Sequence, residues 1–174
     1  MNLSELRLCD FRNCANLHLE PSPRFNILEG LNGEGKTNIL ESIYVMASLK
    51  SFRATSSNEL IRFGCTQAEL RGIVHSGQSE RVIRMTFGNR SRRVSIDGKS
   101  VRSMADSLGQ LSVVLFAPEH LAITKGSPSE RRRFLDRALF NRWPSSLTDA
   151  KRYQDVLKQR NASAYLTPDC IPLN

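Results

Sequence analysis

Long apolar runs are missing from this 174-residue chain. None approaches the roughly 20 residues that cross a bilayer, so no membrane partner is expected. The opening residues, Met1-Asn2-Leu3-Ser4-Glu5, lack the basic-then-apolar order of a secretory leader, and a cytoplasmic location is the expectation. Metal-ligand patterns are also missing. Cys9, Cys14, Cys65 and Cys170 form no C-x-x-C pair, and His18, His75 and His120 stand at no ligand spacing. Reduced, mostly buried thiols are expected instead. Aromatic residues make up only 7% of the sequence, with one tryptophan, which argues against a base-stacking platform. No internal repeat or low-complexity segment occurs.

What is plentiful is positive charge. The formal net charge is +8, from 25 Lys/Arg against 17 Asp/Glu. Residues 1–50 hold five of the bases and six of the acids, so the other 124 residues hold 20 and 11, an excess of nine. A polyanionic partner such as DNA accounts for an excess placed there, and plain solubility is the alternative. The length suffices for a domain with a real core.

Gly30-Leu31-Asn32-Gly33-Glu34-Gly35-Lys36-Thr37 fits the phosphate-loop pattern G-x-x-x-x-G-K-[ST]. Glycines Gly30, Gly33 and Gly35 let the backbone curl so that several N–H groups, including those at Leu31, Asn32 and Glu34, face one anion. Lys36 brings a full charge to the β/γ-phosphates, and Thr37 offers its hydroxyl to Mg²⁺. A helix starting near Lys36 and continuing through Asn38 aims its positive end at the same point. The flanks suit the motif. Phe25–Glu29 is short and apolar, as a buried strand would be. After the loop, Ile39, Ile43 and Ala47, with Leu40 and Tyr44 beside them, form one helical face.

The rest of the chain follows the same rules. Leu3–Phe11 alternates as a strand, Asn13–Asn16 turns, and Leu17–Leu19 returns as a hairpin partner. Lys50–Asn58 is polar and predicted to be a loop. Glu69–Val74, Arg81–Phe87 and Arg92–Ile96 are strands of an antiparallel meander, separated by Ser76-Gly77, Gly88-Asn89 and Asp97-Gly98. Met104–Leu108 is a short helix candidate, and Ser112–Phe116 an apolar central strand. Ser127 as N-cap and Pro128 as first helical residue open a helix with an apolar face of Phe134, Leu135, Ala138 and Leu139. A last helix is predicted over about Ser146–Arg160.

These landmarks together resemble the N-terminal half of the RecF family, ABC-type ATPases of bacterial recombinational DNA repair. The likeness rests on Leu8-Cys9-Asp10-Phe11-Arg12-Asn13, on Gly30–Thr37 with Asn38-Ile39-Leu40-Glu41-Ser42-Ile43, and on Lys50-Ser51-Phe52-Arg53. It continues in Pro118-Glu119-His120-Leu121, Lys125-Gly126-Ser127-Pro128, Arg132-Arg133-Phe134-Leu135-Asp136 and Lys158-Gln159-Arg160-Asn161. The resemblance implies an α/β P-loop NTPase, the N-terminal part of an ABC-type ATPase head. A lobe over residues 1–116 would join an antiparallel β-layer to the loop, a helical lobe would begin over 117–161, and 162–174 would be an irregular tail. ATP and Mg²⁺ are the implied cofactors. The implied partners are single-stranded and gapped or junction DNA, recombination mediator proteins, and a second copy in an ATP-dependent homodimer of the full-length protein. The implied setting is DNA replication, repair and the SOS response.

The resemblance also places Arg12 and Asn13 near the bound nucleotide, where Arg12 would neutralise a phosphate through its planar fork; an exposed turn arginine is the alternative. Arg81, Arg84, Arg90, Arg92, Arg93, Lys99 and Arg102 face only Asp97 in their section, and strand alternation would gather several on one DNA-facing surface, with Arg90, Arg92 and Arg93 foremost. A solvated sheet face is the competing reading. On the second-last helix Arg132 and Asp136, four apart, are positioned to pair. The chain departs from the family where a Walker B strand should end in Asp-Glu: Val113-Val114-Leu115-Phe116 is followed by Ala117-Pro118-Glu119. Ser107-Leu108-Gly109-Gln110 lacks the small pair of a signature motif. A truncated form that binds nucleotide, stays monomeric and has no catalytic residues of its own is therefore expected. A small-molecule P-loop kinase is the alternative from another class, disfavoured by the hairpin that precedes the loop. A GTPase would need an N-K-x-D motif, which the sequence lacks.

Overall fold

The computed structural model describes residues 1–88, 91–101, 107–117, 128–143 and 146–166. They fall into two compact units, Met1–Leu115 and Phe116–Asn174. The first holds a six-stranded antiparallel sheet and one long helix. Its strands are β1 (Asn2–Phe11), β2 (Cys14–Leu19), β3 (Gln67–Ser76), β4 (Ser79–Gly88), β5 (Ser91–Ile96) and β6 (Lys99–Ser100), in spatial order β2-β1-β3-β4-β5-β6. The helix α1 (Lys36–Ser48) follows the glycine-rich loop, and a 3₁₀ turn occupies Ser57–Leu60.

Alternation decides which residues meet α1. The registers align Leu8, Leu70, Met85 and Val94 in one cross-strand row, and Leu6, Gly72, Ile83 and Ile96 in the next. Leu6, Leu8, Leu70, Ile83, Met85 and Phe87 are at most 2% exposed and pack with Val45, Met46 and Ala47 of α1. Side chains of the opposite parity face away from this core. The β5–β6 turn takes the shape that Asp-Gly favours, with φ of 51° at Asp97 and 77° at Gly98. Hydrogen bonds from the Val82 amide and from Arg81 hold the Asp97 carboxyl below its usual range.

The hairpin and the meander form as alternation and turn chemistry predict, except that the hairpin turns at Arg12-Asn13 and Cys14–Asn16, expected in the turn, belong to β2; β6 was not foreseen. Three further expectations need correction. Phe25–Glu29 belongs to no strand among the described residues, and Phe25 and Ile27 are 86% and 90% exposed. Ser112–Phe116 is likewise no strand: Val113 packs on the core while Val114 and Phe116 are exposed. Apolar, β-branched sequence favours extension, but a strand exists only with a hydrogen-bonded neighbour. The thiols also differ from expectation, since Cys9 is exposed and Cys14 and Cys65 are half-buried.

The second unit contains α2 (Pro128–Arg142) and α3 (Ser146–Leu166), which contact each other. Pro128 opens α2 as its fixed φ allows; Ser127 and the candidate helix residues Met104–Asp106 lie outside the described residues. The apolar positions of α2 are not buried: Phe134, Leu135 and Leu139 are all exposed.

Gly72 lies where the Met46 side chain of α1 meets the sheet. A Cβ there would run into the Met46 side chain and come within 3.1 Å of Leu3 Cδ1. Gly72→Val is expected to lower stability by about 1–3 kcal/mol through overpacking. A shifted urea midpoint at unchanged slope would show it, and an unchanged midpoint would mean that α1 is not seated there.

Candidate nucleotide site

The loop between Phe25 and α1 has the backbone its glycines allow. Gly30, Gly33 and Gly35 have φ of 149°, 89° and 99°, and Gly35 is the left-handed N-cap of α1. Side chains are excluded there for a second reason. A Cβ on Gly30 would collide with the Glu34 carboxylate, and one on Gly35 would lie 2.8 Å from Asn13 Oδ1 and 3.3 Å from Cys14 Sγ. The loop is already an anion receptor in miniature, because the Leu31 amide donates to Glu34 Oε2 at 2.8 Å. Lys36 closes the ring, its Nζ donating to the carbonyls of Gly30 and Leu31 at 2.6 Å each. Thr37 is exposed at the first turn of α1. A glycine loop crowded at Gly30 and Gly35, an amide that donates to an oxyanion, a lysine and an exposed hydroxyl at a helix N-terminus fit a nucleotide phosphate with its magnesium ion.

A polar network fixes the loop to the rest of the unit. Asn13 Nδ2 donates to the Gly33 carbonyl at 2.6 Å, and Asn38 Nδ2 donates to Asn13 Oδ1 at 2.7 Å. Asn13 therefore clamps the loop from the β1–β2 turn. Burial pushes the thiol of neighbouring Cys14 up, so it stays protonated at neutral pH.

Arg12 acts one step back from the loop. It has φ of 55°, an uncommon left-handed conformation for a non-glycine residue. Its amide donates to Leu60 O at 2.9 Å, and its guanidinium grips Glu41 through Nε at 3.0 Å and Nη2 at 2.7 Å, with Nη1 on the Glu59 carbonyl at 2.8 Å. Both forks are thus engaged with protein groups. Sequence reasoning missed this partner. Glu41 sits on α1 with its side chain 0% exposed, although it reads as a solvent-facing position, whereas Leu40, placed on the apolar face, is half exposed. Ser51 also donates to Glu41, and its Oγ accepts the amides of Arg53 and Ala54 at 2.8 and 2.7 Å. Phe52 meets Tyr44 edge-on at 5.4 Å. Arg53 lies 3.9 Å from Glu41 and donates to Asn38 Oδ1 at 3.1 Å, bringing a half-exposed cation beside the loop. The Ser51-Phe52-Arg53 block carried family likeness in the sequence, but only the fold shows what it touches.

The three arginines expected on a DNA face divide. Arg93 is exposed. Arg92 is a correction: adjacent strand residues point to opposite faces, and its guanidinium donates to the Leu49 carbonyl at the end of α1. Burial lowers its proton affinity. Arg90 lies outside the described residues.

The buried pair sets a stability test. Removing one partner of a buried ion pair costs about 3–5 kcal/mol, against about 0–1 for an exposed pair. Glu41→Ala should thus destabilise the first unit far more than Glu69→Ala, whose partner Arg84 is 3.4 Å away at the surface. Equal urea midpoints for the two variants would contradict that role for Glu41.

The RecF/RecN/SMC N terminal domain family matches residues 2–122. The chain is 42% identical over 162 residues to the DNA replication and repair protein RecF of Geobacter sp. (strain M21), covering 93% of this chain and 44% of that protein. It is 43% identical over 161 residues to the RecF protein of Myxococcus xanthus (strain DK1622), covering 92% and 42%. Among solved structures, the recombination mediator protein RecF with ATP, in the RecFOR pathway, superposes with a TM-score of 0.85 at 31% identity over 92% of this chain and 45% of that one. The chain thus spans less than half the length of the relatives it matches, and its fold is the N-terminal part of their P-loop ATPase head. On the domain match, and on the loop and sheet that carry it, the chain belongs to the RecF/RecN/SMC N-terminal domain family.

Proposed function

We propose that this chain binds ATP with Mg²⁺ at Gly30–Asn38 and serves as the nucleotide-holding part of a DNA-binding protein of replication and recombinational repair. The observation that carries the reading is the loop: three glycines in conformations that L side chains rarely adopt, a Leu31 amide on an oxyanion, and Lys36 gathered at the start of α1. Lys36 would move from the loop carbonyls to the β/γ-phosphates, and Thr37 would give the ion its hydroxyl. The magnesium ion would neutralise charge on the phosphate oxygens. Asn13 would keep the loop curled from the hairpin side, with Arg12 positioning that hairpin through Glu41. Single-strand/double-strand junctions as the DNA target, recombination mediators as partners, an ATP-dependent homodimer in full-length relatives, a role in the SOS response and a cytoplasmic setting belong to the same proposal. Among the described residues no helix is long and apolar enough to cross a membrane. The kinase alternative is not favoured by the family match.

Lys36→Ala should weaken binding of a fluorescent ATP analogue roughly ten- to a hundred-fold, since a hydrogen bond to a charged group is worth about 1.5–3 kcal/mol. Its circular dichroism should stay that of the parent, and parental affinity in this variant would refute the site. Turnover is expected to be absent. Phosphoryl transfer depends on groups that align water and stabilise charge, and Ala117-Pro118-Glu119 stands where an Asp-Glu pair would follow Val113-Val114-Leu115-Phe116. Phosphate release that disappears with Lys36→Ala would overturn this and point to Glu119, which lies outside the described residues.

A further inference from the structure

The face of the sheet turned away from α1 carries its own pattern of charge, and its interpretation rests on the proposal that the chain binds DNA. The registers place His18, Arg7, Arg71, Arg84 and Ser95 in one row across β2, β1, β3, β4 and β5, and Cys9, Glu69, Thr86 and Arg93 in the next. Arg7, Arg71, Arg84 and Arg93 thus come from four adjacent strands, spanning roughly 14 Å at about 4.8 Å per strand. Their counter-charges are unevenly spread. Glu5 serves Arg7 at 3.0 Å, His18 at 3.6 Å and also Arg71. Glu80 faces His75 at 3.6 Å, and Glu69 serves Arg84 at 3.4 Å. Arg93 is exposed and its side chain forms no ion pair or hydrogen bond with another described residue. The uncompensated charge therefore lies at the β4–β6 end.

At that end the face is dished. Arg84, Thr86, Arg93, Ser95, Gly98 and Ser100 line a depression of about 320 Å³. Two arginines, a threonine and two serines are among the lining residues, a set suited to phosphate oxygens. No aromatic ring lines it, so it suits backbone rather than base. The Arg84–Glu69 pair is exposed and worth about 0–1 kcal/mol, so a phosphate can displace Glu69. The geometry points to one phosphodiester of duplex DNA seated between Arg84 and Arg93, with Arg71 and Arg7 meeting phosphates further along the same face. Duplex DNA carries a charge about every 1.7 Å, so a 14 Å stretch presents about eight, a continuous partner for a continuous arginine row.

The test is equilibrium binding of the 174-residue chain to a labelled duplex over a range of salt. The double variant Arg84→Gln, Arg93→Gln should flatten the log–log salt slope by about 1.8, and Arg93→Gln alone by about 0.9, equally on unrelated sequences. Arg24→Gln with Arg152→Gln removes the same charge from exposed positions outside the sheet's strands and should leave the slope as in the parent. An unchanged slope in the Arg93 variants, with the parent still binding DNA, would refute the seat and leave the DNA reading standing. A parent that binds an acidic polypeptide such as polyglutamate but no DNA would overturn both.

Discussion

A carboxylate with no exposed surface, Glu41, is held by two nitrogens of one guanidinium, by a serine hydroxyl, and by a second arginine at 3.9 Å. Burying that charge is costly unless every lone pair is met, and the carboxylate and the groups that meet it come from three separate parts of the chain. Arg12 arrives from the β1–β2 turn, Ser51 and Arg53 from the segment after α1, and Glu41 from α1 itself. The ion pair therefore obliges hairpin, helix and following segment to keep one arrangement. Arg12 holds a left-handed backbone at this junction, with its amide on Leu60, so the Leu60–Arg62 stretch joins the same knot.

From that knot the order extends to the loop by hydrogen bonds of neutral groups. Asn13, next to Arg12, reaches Gly33, and Asn38, one turn before Glu41, reaches Asn13. The glycines make the curl possible, and this chain of amides makes it a particular curl. Arg53 touches both systems, through Glu41 and through Asn38. A displaced hairpin would thus be felt at the phosphate site without any residue of the hairpin's strands touching a phosphate.

The sheet separates two chemistries by parity alone. Residues facing α1 are mostly Leu, Ile, Met, Phe, Val and Ala, which supply the core, with Gly72 where Met46 approaches and Arg92 reaching the Leu49 carbonyl. Residues facing away include Arg7, Arg71, Arg84 and Arg93 together with Glu5, Glu69 and Glu80. The loop and this open face both suit phosphate, by different means. The loop uses backbone amides and the end of a helix, which demand one fixed shape. The face uses long guanidinium side chains, which tolerate a partner that varies in sequence and position.

Much of this was legible in the sequence wherever the signal is local. Glycines at fixed spacing before Lys36-Thr37, alternation in Leu3–Phe11, and Asp97-Gly98 between apolar runs each constrain φ and ψ within a few residues, and loop, hairpin and meander follow. Pro128 opens α2 for the same reason. Three things were decided only by tertiary structure. Glu41 reads as a surface helix residue, and its burial depends on Arg12, 29 positions away. Arg92 and Arg93 are chemically alike and adjacent, yet strand register sends one to the Leu49 carbonyl and the other to solvent. Phe25–Glu29 and Ser112–Phe116 have the composition of buried strands, but composition specifies only an extended backbone. Whether an extended backbone becomes a strand depends on a neighbour to take its hydrogen bonds, and that is a property of the fold rather than of the segment.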